Sequence, residues 1–251
     1  MKTMLTIALA LALAIIGVGS ALAQDATIQI IHNSPDPAAA TVDIYVNAGS
    51  DPAVPDLAFR AATGLINLPA DTDLEVGIAP GNSSGPGDIL ATWTFNLPAG
   101  SKTVVMANGL LGDDFDLFTF GLETMAPAGE VAVAAFHGAQ DAPAVDVGAA
   151  GVGTLITGLQ YQTFQGYLNV PASDYILTVA PTGGEVIAGF DAPLSGLGGN
   201  AIVVFASGFL GMEPTFGLFA ALNDGTVVPL TPNGSVSTEM TTLDSMKALY
   251  R

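Results

Sequence analysis

The residue types that could do chemistry occur twice in this chain, in two short stretches with the same order. Each stretch contains one of the two histidines, an aspartate four residues later, and a second aspartate in a Val-Asp-Ile or Val-Asp-Val run. The six residues are His32, Asp36, Asp43, His137, Asp141 and Asp146. A neutral imidazole with one or two carboxylates can ligate zinc or iron. One hypothesis is therefore a metal-dependent ligand-binding or enzymatic site in each stretch.

The same residues also fit a structural role in a turn. The histidines shortly precede Ser34-Pro35-Asp36-Pro37 and Gln140-Asp141-Ala142-Pro143. Aspartate in such turns accepts backbone N–H bonds and proline fixes a backbone dihedral, while the imidazole bonds to neighbouring main chain. A histidine and one nearby aspartate are also fewer ligands than zinc sites use. We favour this interpretation and assign no metal, cofactor or catalytic residue from the sequence.

Two acidic groups are weaker candidates. Asp71, Asp73 and Glu75 alternate along a predicted strand, which places all three on one solvated face. The loop that contains Asp113, Asp114 and Asp116 offers oxygen ligands for calcium, but its spacing is not that of an EF-hand. The sequence also contains no Gly-x-Ser-x-Gly elbow of a serine hydrolase. These patterns predict a protein that is not an enzyme.

Composition limits the partners of this protein. The formal net charge is −18, from 5 lysines and arginines against 23 aspartates and glutamates, and 11% of residues are charged. Average soluble domains have about 25% charged residues. Five lysines and arginines are too few to displace the counterions of nucleic acid or of an anionic membrane. Both are therefore excluded as partners. The chain has no cysteine and therefore neither a disulfide nor a lipidated cysteine.

The N-terminal residues 1–23 have the layout of a secretory signal peptide. Lys2 precedes an apolar run, and Ala21-Leu22-Ala23 is a typical cleavage site. We expect a mature chain without a transmembrane segment, located in the periplasm, at the cell surface or outside the cell. The uncharged stretch 192–212 resembles a membrane span, but it contains glycine and proline. We predict that residues 201–206 form a central strand buried on both faces.

The rest of the chain reads as one unit present twice. His32 matches His137 at an offset of 105 residues, Asn108-Gly109 matches Ser207-Gly208 at 99, and Phe120-Gly121-Leu122 matches Phe216-Gly217-Leu218 at 96. A period near 100 residues indicates duplicated domains. We predict domains at residues 24–125 and 130–230, with a short joint that keeps them in a fixed or weakly bending pair. The tail 231–251 either forms a short helix capped by Thr241 or is unordered.

Both copies have the patterns of β-structure. Short segments rich in β-branched residues are bounded by glycine, proline, asparagine and aspartate. The predicted strands are 27–32, 41–47, 72–79, 89–97 and 103–108 in the first copy, and 130–137, 175–180, 185–190 and 201–207 in the second. This density of short strands predicts an all-β fold of two tandem Ig-like antiparallel β-sandwich domains.

The landmarks of both copies resemble a secreted bacterial family known as domain of unknown function 4397. Its members open with a His-Ala-Ser-Pro-Asp-Ala-Pro-like run, which is similar to the residues that begin at His32 and at His137. The resemblance extends over both copies, although Gln140 stands where the family has proline. It implies an exported and often tandem Ig-like sandwich, and it implies no activity.

The leading hypothesis is an exported, non-enzymatic binding, adhesion or matrix module. Its partner would be a polysaccharide, a cell-surface protein or another copy of this chain. The alternatives are a metal-dependent ligand binder or enzyme that uses the histidine motifs, and a self-assembling filament subunit.

Overall fold

The computed structural model describes residues 24–235. The predicted signal peptide and the predicted helix near Thr241 lie outside the described residues. The strands of the first half are β1 (Ala26–His32), β2 (Thr41–Val46), β3 (Val54–Ala58), β4 (Ala61–Ala62), β5 (Ile66–Leu68), β6 (Asp73–Pro80), β7 (Ala91–Asn96), β8 (Lys102–Asn108) and β9 (Asp116–Gly121). Two short 3-10 helices, Pro37–Ala39 and Pro86–Asp88, follow β1 and β6 in loops.

The second half has ten strands. They are β10 (Glu130–His137), β11 (Val145–Ala149), β12 (Gly153–Leu159), β13 (Phe164–Pro171), β14 (Asp174–Pro181), β15 (Ala188–Pro193), β16 (Ala201–Ser207), β17 (Gly217–Leu222), β18 (Val227–Pro229) and β19 (Thr231–Pro232). The two helices in the described part of the chain have three residues each, far fewer than a membrane-spanning helix needs.

The strands form four sheets, two in each half. The inner sheet of the first half has the order β4-β1-β8-β9, with β5 also beside β1, and its outer sheet has the order β3-β2-β6-β7. The second half repeats this with the inner sheet β13-β10-β16-β17-β18 and the outer sheet β12-β11-β14-β15-β19. The predicted all-β sandwich fold is confirmed. The pairings β1–β8 and β10–β16 are parallel, which the expectation of purely antiparallel sheets did not include.

Three apolar cores lie between four stacked layers. Alternate residues of β1, Ile28 and Ile30, pack with Ile44 of the outer sheet inside the first sandwich. An equivalent core fills the second sandwich. The other face of β1 carries Ile31, which packs in a third core with Phe136 and residues of both inner sheets. Because strand residues alternate between two faces, each inner sheet is buried on both sides.

The buried central strand predicted at residues 201–206 is β16. It lies between β10 and β17, and all but one of its residues are buried. The segment that joins the halves is bound to the second half. Met125 forms an isolated antiparallel β-bridge with Asn200, and Ala126 N donates to Gly199 O at 2.9 Å. The two halves therefore form one four-layer stack.

Several predicted details were wrong. The strand expected at 185–190 is observed as β15, Ala188–Pro193. Asp71 does not share the face of Asp73 and Glu75, because it precedes β6 in a turn with φ of 56°.

The last step of the repeat alignment was also wrong. Asn108 of β8 pairs with Asp116 of β9, and the equivalent residue Ser207 of β16 pairs with Gly217 of β17. Strands β9 and β17 therefore correspond at an offset of 101 residues and not 96. Phe120 therefore matches Ala221, and the similarity of Phe120-Gly121-Leu122 to Phe216-Gly217-Leu218 is accidental.

Candidate functional site

The histidines end the first strand of each half and point into the sandwich interiors. His32 lies on the same face of β1 as the core residue Ile30 and is fully buried. Its Nε2 lies 2.6 Å from Ala39 O, and Nε2 of His137 lies 2.9 Å from Pro143 O. Since a carbonyl only accepts, Nε2 donates in both rings. Each imidazole therefore holds the turn that follows its own strand.

Burial disfavours the charged form of both imidazoles. It lowers the pKa of His32 and of His137 below the ordinary value, and the bonds to Ala39 O and Pro143 O offset this only in part. Nδ1 of each ring is buried and has no hydrogen-bond partner in the described structure. A proton on Nδ1 would be a buried donor without an acceptor, which is costly.

The first aspartate of each motif caps loops. Asp36 Oδ1 accepts from Ala38 N at 2.8 Å and its Oδ2 accepts from Leu111 N at 2.9 Å. Asp141 accepts from Leu210 N at 2.7 Å and from Gly211 N at 3.2 Å. Each carboxylate thus ties the turn after the first strand to the loop after β8 or β16. The turn near the start of each repeat is therefore in direct contact with the loop near its end.

The second aspartate holds an irregular position of the neighbouring edge strand. Asp43 Oδ1 accepts from Asp56 N at 2.8 Å, and its Oδ2 accepts from the Ser83 hydroxyl at 2.5 Å. Asp56 has a φ of 52°, and the β2–β3 register shifts beside it. Asp43 therefore fixes both a strand irregularity and the β6–β7 loop.

Asp146 repeats this arrangement in the second half. It accepts from Gly158 N at 2.8 Å and from Gly183 N at 2.9 Å. Gly158 has a φ of 66°, like its counterpart Asp56. The backbone bonds from Gly183 and Gly158 lower the pKa of Asp146.

The six predicted residues do not converge on one centre. Within each half the histidine and the two aspartates bind different backbone groups, and no hydrogen bond joins them in the described structure. No group of three or more histidine, aspartate and glutamate side chains within residues 24–235 is placed to hold a metal ion. The contacts favour the structural interpretation of the duplicated motif.

A cluster of polar side chains lies between the two halves, at a place that the sequence did not indicate as an interface. Asp114, in the acidic loop weighed as a weak calcium candidate, accepts from the Tyr161 hydroxyl at 2.8 Å, and Gln162 Nε2 donates to Asp114 O at 2.9 Å. Burial and then the Asp114 carboxylate raise the pKa of Tyr161. The Asn108 side chain also contacts the Tyr161 hydroxyl, at 3.1 Å. Asp114 is thus a link between the halves.

Arg60 makes the reciprocal link from the first half to the second. Its Nε donates to Ser207 Oγ at 2.9 Å and its Nη2 donates to Thr215 O at 2.6 Å. Its guanidinium also lies over the rings of Phe59 and Phe219, at 4.7 and 4.4 Å from their centres. Burial lowers the pKa of Arg60, and the negative charge of Glu213 opposes that effect.

Arg60 and Gln162 occupy equivalent positions in the two halves. The backbone N of Arg60 donates to His32 O and that of Gln162 to His137 O, both at 2.7 Å. Both residues also have positive φ, 64° and 60°. Each side chain crosses to the loop of the opposite half. Asp114 was singled out from the sequence for another role, and neither Arg60 nor Gln162 was identified from it.

Comparisons with known proteins give a family match over part of the chain and distant similarity to solved structures. The solved structure described as "Alpha-glucan binding by a streptococcal virulence factor" is similar at 12% identity, over 71% of this chain and 92% of that chain. Its TM-score is 0.24, which is too low to support an inference about function. No curated protein matches this chain.

The family model that matches is the domain of unknown function DUF4397, over residues 26–148. The matched segment begins at β1 and contains all three residues of the first motif and His137, Asp141 and Asp146 of the second. Residues 26–148 are therefore similar to DUF4397, which supports the family indicated by the histidine motifs.

Proposed function

We propose that this protein is an exported, non-enzymatic binding, adhesion or matrix module, and that its second half is a second domain of the same family. The observation that carries the proposal is that the histidines and aspartates of the duplicated motif make structural hydrogen bonds. All six imidazole and carboxylate groups bind backbone groups of the sandwich that contains them. The equivalent contacts in both halves support the second domain.

The rigidity and the surface of the stack support a binding role. The third core and the links through Asp114 and Arg60 hold the halves in one orientation, so the stack presents fixed surfaces. The outer sheet of the first half exposes a polar ladder, in which Asp73 pairs with Asn96 and Glu75 with Thr94. Such a surface suits a neutral or cationic partner outside the cytoplasm.

Binding assays with the purified chain 24–251 test this proposal. We expect binding to isolated cell envelopes, to a cell-surface protein or to polysaccharide at physiological salt, and export of the full-length chain in cell fractionation. Lack of binding to all of them, with and without calcium, would contradict the proposal.

Metal analysis separates the proposal from the metal-dependent alternative. We expect no stoichiometric metal, and we expect His32→Ala and His137→Ala variants to melt at lower temperature. Stoichiometric metal that is lost in folded variants would favour the alternative.

A further inference from the structure

The second sandwich is closed along one side by the end of its own chain. Strand β18 pairs with the free edge of β17, and β19 pairs with the free edge of β15. Between them Leu230 enters the core, where it is 6% exposed, and its N–H donates to Leu218 O at 2.8 Å. One extended segment, residues 227–232, therefore bridges the edges of both sheets.

The first sandwich has no such segment among the described residues. The strands equivalent to β17 and β15 are β9 and β7, and each is paired with only one neighbour there. The chain after β9 runs instead into the joint at Met125. The side between β7 and β9, which we call the open side, has Trp93 and Phe95 on β7, Leu117 and Thr119 on β9, and Phe115 just before β9.

Burial of equivalent residues shows what the segment covers. Phe190 is 4% exposed, whereas its counterpart Trp93 is only half-buried. Ala220 is also 4% exposed, whereas its counterpart Thr119 is exposed, although it lies on the inward face of β9 with Leu117. Among residues 24–235, therefore, nothing covers the apolar surface and the two strand edges of the open side.

The interior behind the open side is also incompletely filled. A cavity of about 20 Å³, which has room for about one water molecule, is lined by His32 and by apolar residues that include Phe115, Leu117, Val76 and Val105. It is too small for a leucine side chain, so an apolar anchor such as Leu230 would pack against Phe115 and Leu117 on the open side.

The edges are not protected against strand pairing. Neither β7 nor β9 contains lysine or proline, the residues that commonly block an edge. Asp116 stands at one end of the open side, where its Oδ1 accepts from Trp93 Nε1 at 2.7 Å, and Asp113 is exposed nearby. The negative charge at this end favours a neutral or basic partner.

We propose that the open side of the first sandwich binds an extended peptide segment of a partner protein by β-strand addition. The segment carries an apolar anchor at the position of Leu230 and a neutral or basic residue immediately after it. Its backbone pairs with β9 before the anchor and with β7 after it, as residues 227–232 do in the second half. This inference rests on the proposed binding function and specifies its partner as a protein.

A peptide with the sequence of residues 226–233, TVVPLTPN, is the probe. We expect it to bind the chain 24–251 with a dissociation constant below about 1 mM, a modest affinity because a short flexible peptide must become ordered. NMR or fluorescence of Trp93 measures the binding. A peptide with the Thr231→Lys change should bind about 2–5-fold more tightly at low salt and lose that gain at high salt. A peptide with the Leu230→Asp change should not bind.

A protein variant tests the location. Thr119→Trp fills the open side without removing a β8–β9 hydrogen bond, and we expect it to weaken the peptide at least about tenfold at an unchanged melting temperature. The matched control is Thr154→Trp, at an exposed position of the edge strand β12. No peptide binding to the wild type, or equal binding to the Thr119→Trp variant, would overturn the inference.

Two further measurements separate the possible failures. If envelopes or polysaccharide bind but the peptide does not, the inference fails and the proposed function stands. If the chain forms concentration-dependent dimers that the Thr119→Trp change abolishes, the open side binds a second copy and the partner-peptide proposal is wrong.

Discussion

Gly138 lies at the contact between the two halves, where no side chain fits. A β-carbon at this position would overlap Asn33 Nδ2, and it would lie 2.6 Å from Asn108 Oδ1 and 2.7 Å from Ala206 O. Real β-carbons do not approach other heavy atoms this closely. The substitution Gly138→Ala must therefore displace the Asn33 side chain and shift the backbone near Ala206.

The cost of that displacement follows from the contacts. The Asn33 side chain joins the Asn108 amide at 2.8 Å and donates to Ala206 O at 3.1 Å. Losing such hydrogen bonds costs about 1 kcal/mol each, and overpacking a close contact costs about 1–3 kcal/mol. We expect the free energy of unfolding to fall by about 3–5 kcal/mol, which lowers the melting temperature by roughly 6–20 °C.

Urea denaturation followed by circular dichroism measures this effect. The control is Gly196→Ala, because a β-carbon at Gly196 meets no atom within 4 Å. The double variant Asn33→Gly, Gly138→Ala removes the obstructing side chain, and we expect it to be more stable than the sum of the two single changes predicts. A Gly138→Ala protein as stable as the control, or a strictly additive double variant, would refute the reasoning.

Other expectations concern the buried polar groups. Burial lowers the pKa of His32 and His137, so below about pH 6.5 the unfolded chain binds more protons than the folded chain does. The free energy of unfolding should therefore be at its full value above about pH 6.5 and fall at lower pH. Urea unfolding from about pH 8 to pH 5 measures this. Arg60→Ala should lower stability by about 2–3 kcal/mol because it removes charged hydrogen bonds across the interface, and Arg60→Lys should restore little of it in thermal melts. Asp43→Ala removes the buried carboxylate that accepts from the Asp56 N–H and the Ser83 hydroxyl, and it should cost about 1–3 kcal/mol, with faster amide exchange at Asp56.

Much of the fold was predictable because strand patterns are local. The alternation of Val42, Ile44 and their neighbours, bounded by turn residues, identified β2, and the uncharged run at 201–207 identified the buried β16. Short edge strands such as β4 and β19 were missed, since two residues carry no periodic pattern. They form only because a neighbouring strand offers them hydrogen bonds.

The duplicated motif shows how far residue types alone can lead. Histidine followed by aspartate at a fixed spacing suits either a metal site or a turn, and the sequence favoured the turn through its prolines. Which backbone groups the side chains bind depended on remote chain segments, such as Leu111 for Asp36 and Ser83 for Asp43. Contacts over such distances along the chain leave no local signature.

The all-β class, the repeated pattern and the acidic, cation-poor character of this protein follow from the sequence alone, because each depends on composition or on local pattern. The three-dimensional structure was needed to show that the inner sheets share a third core and that Arg60 and Gln162 cross between the halves. It also shows that residues 227–232 close one sandwich, whereas the described residues leave the equivalent side of the other open. These features depend on which surfaces meet after folding, and the two nearly equivalent halves differ in what covers them.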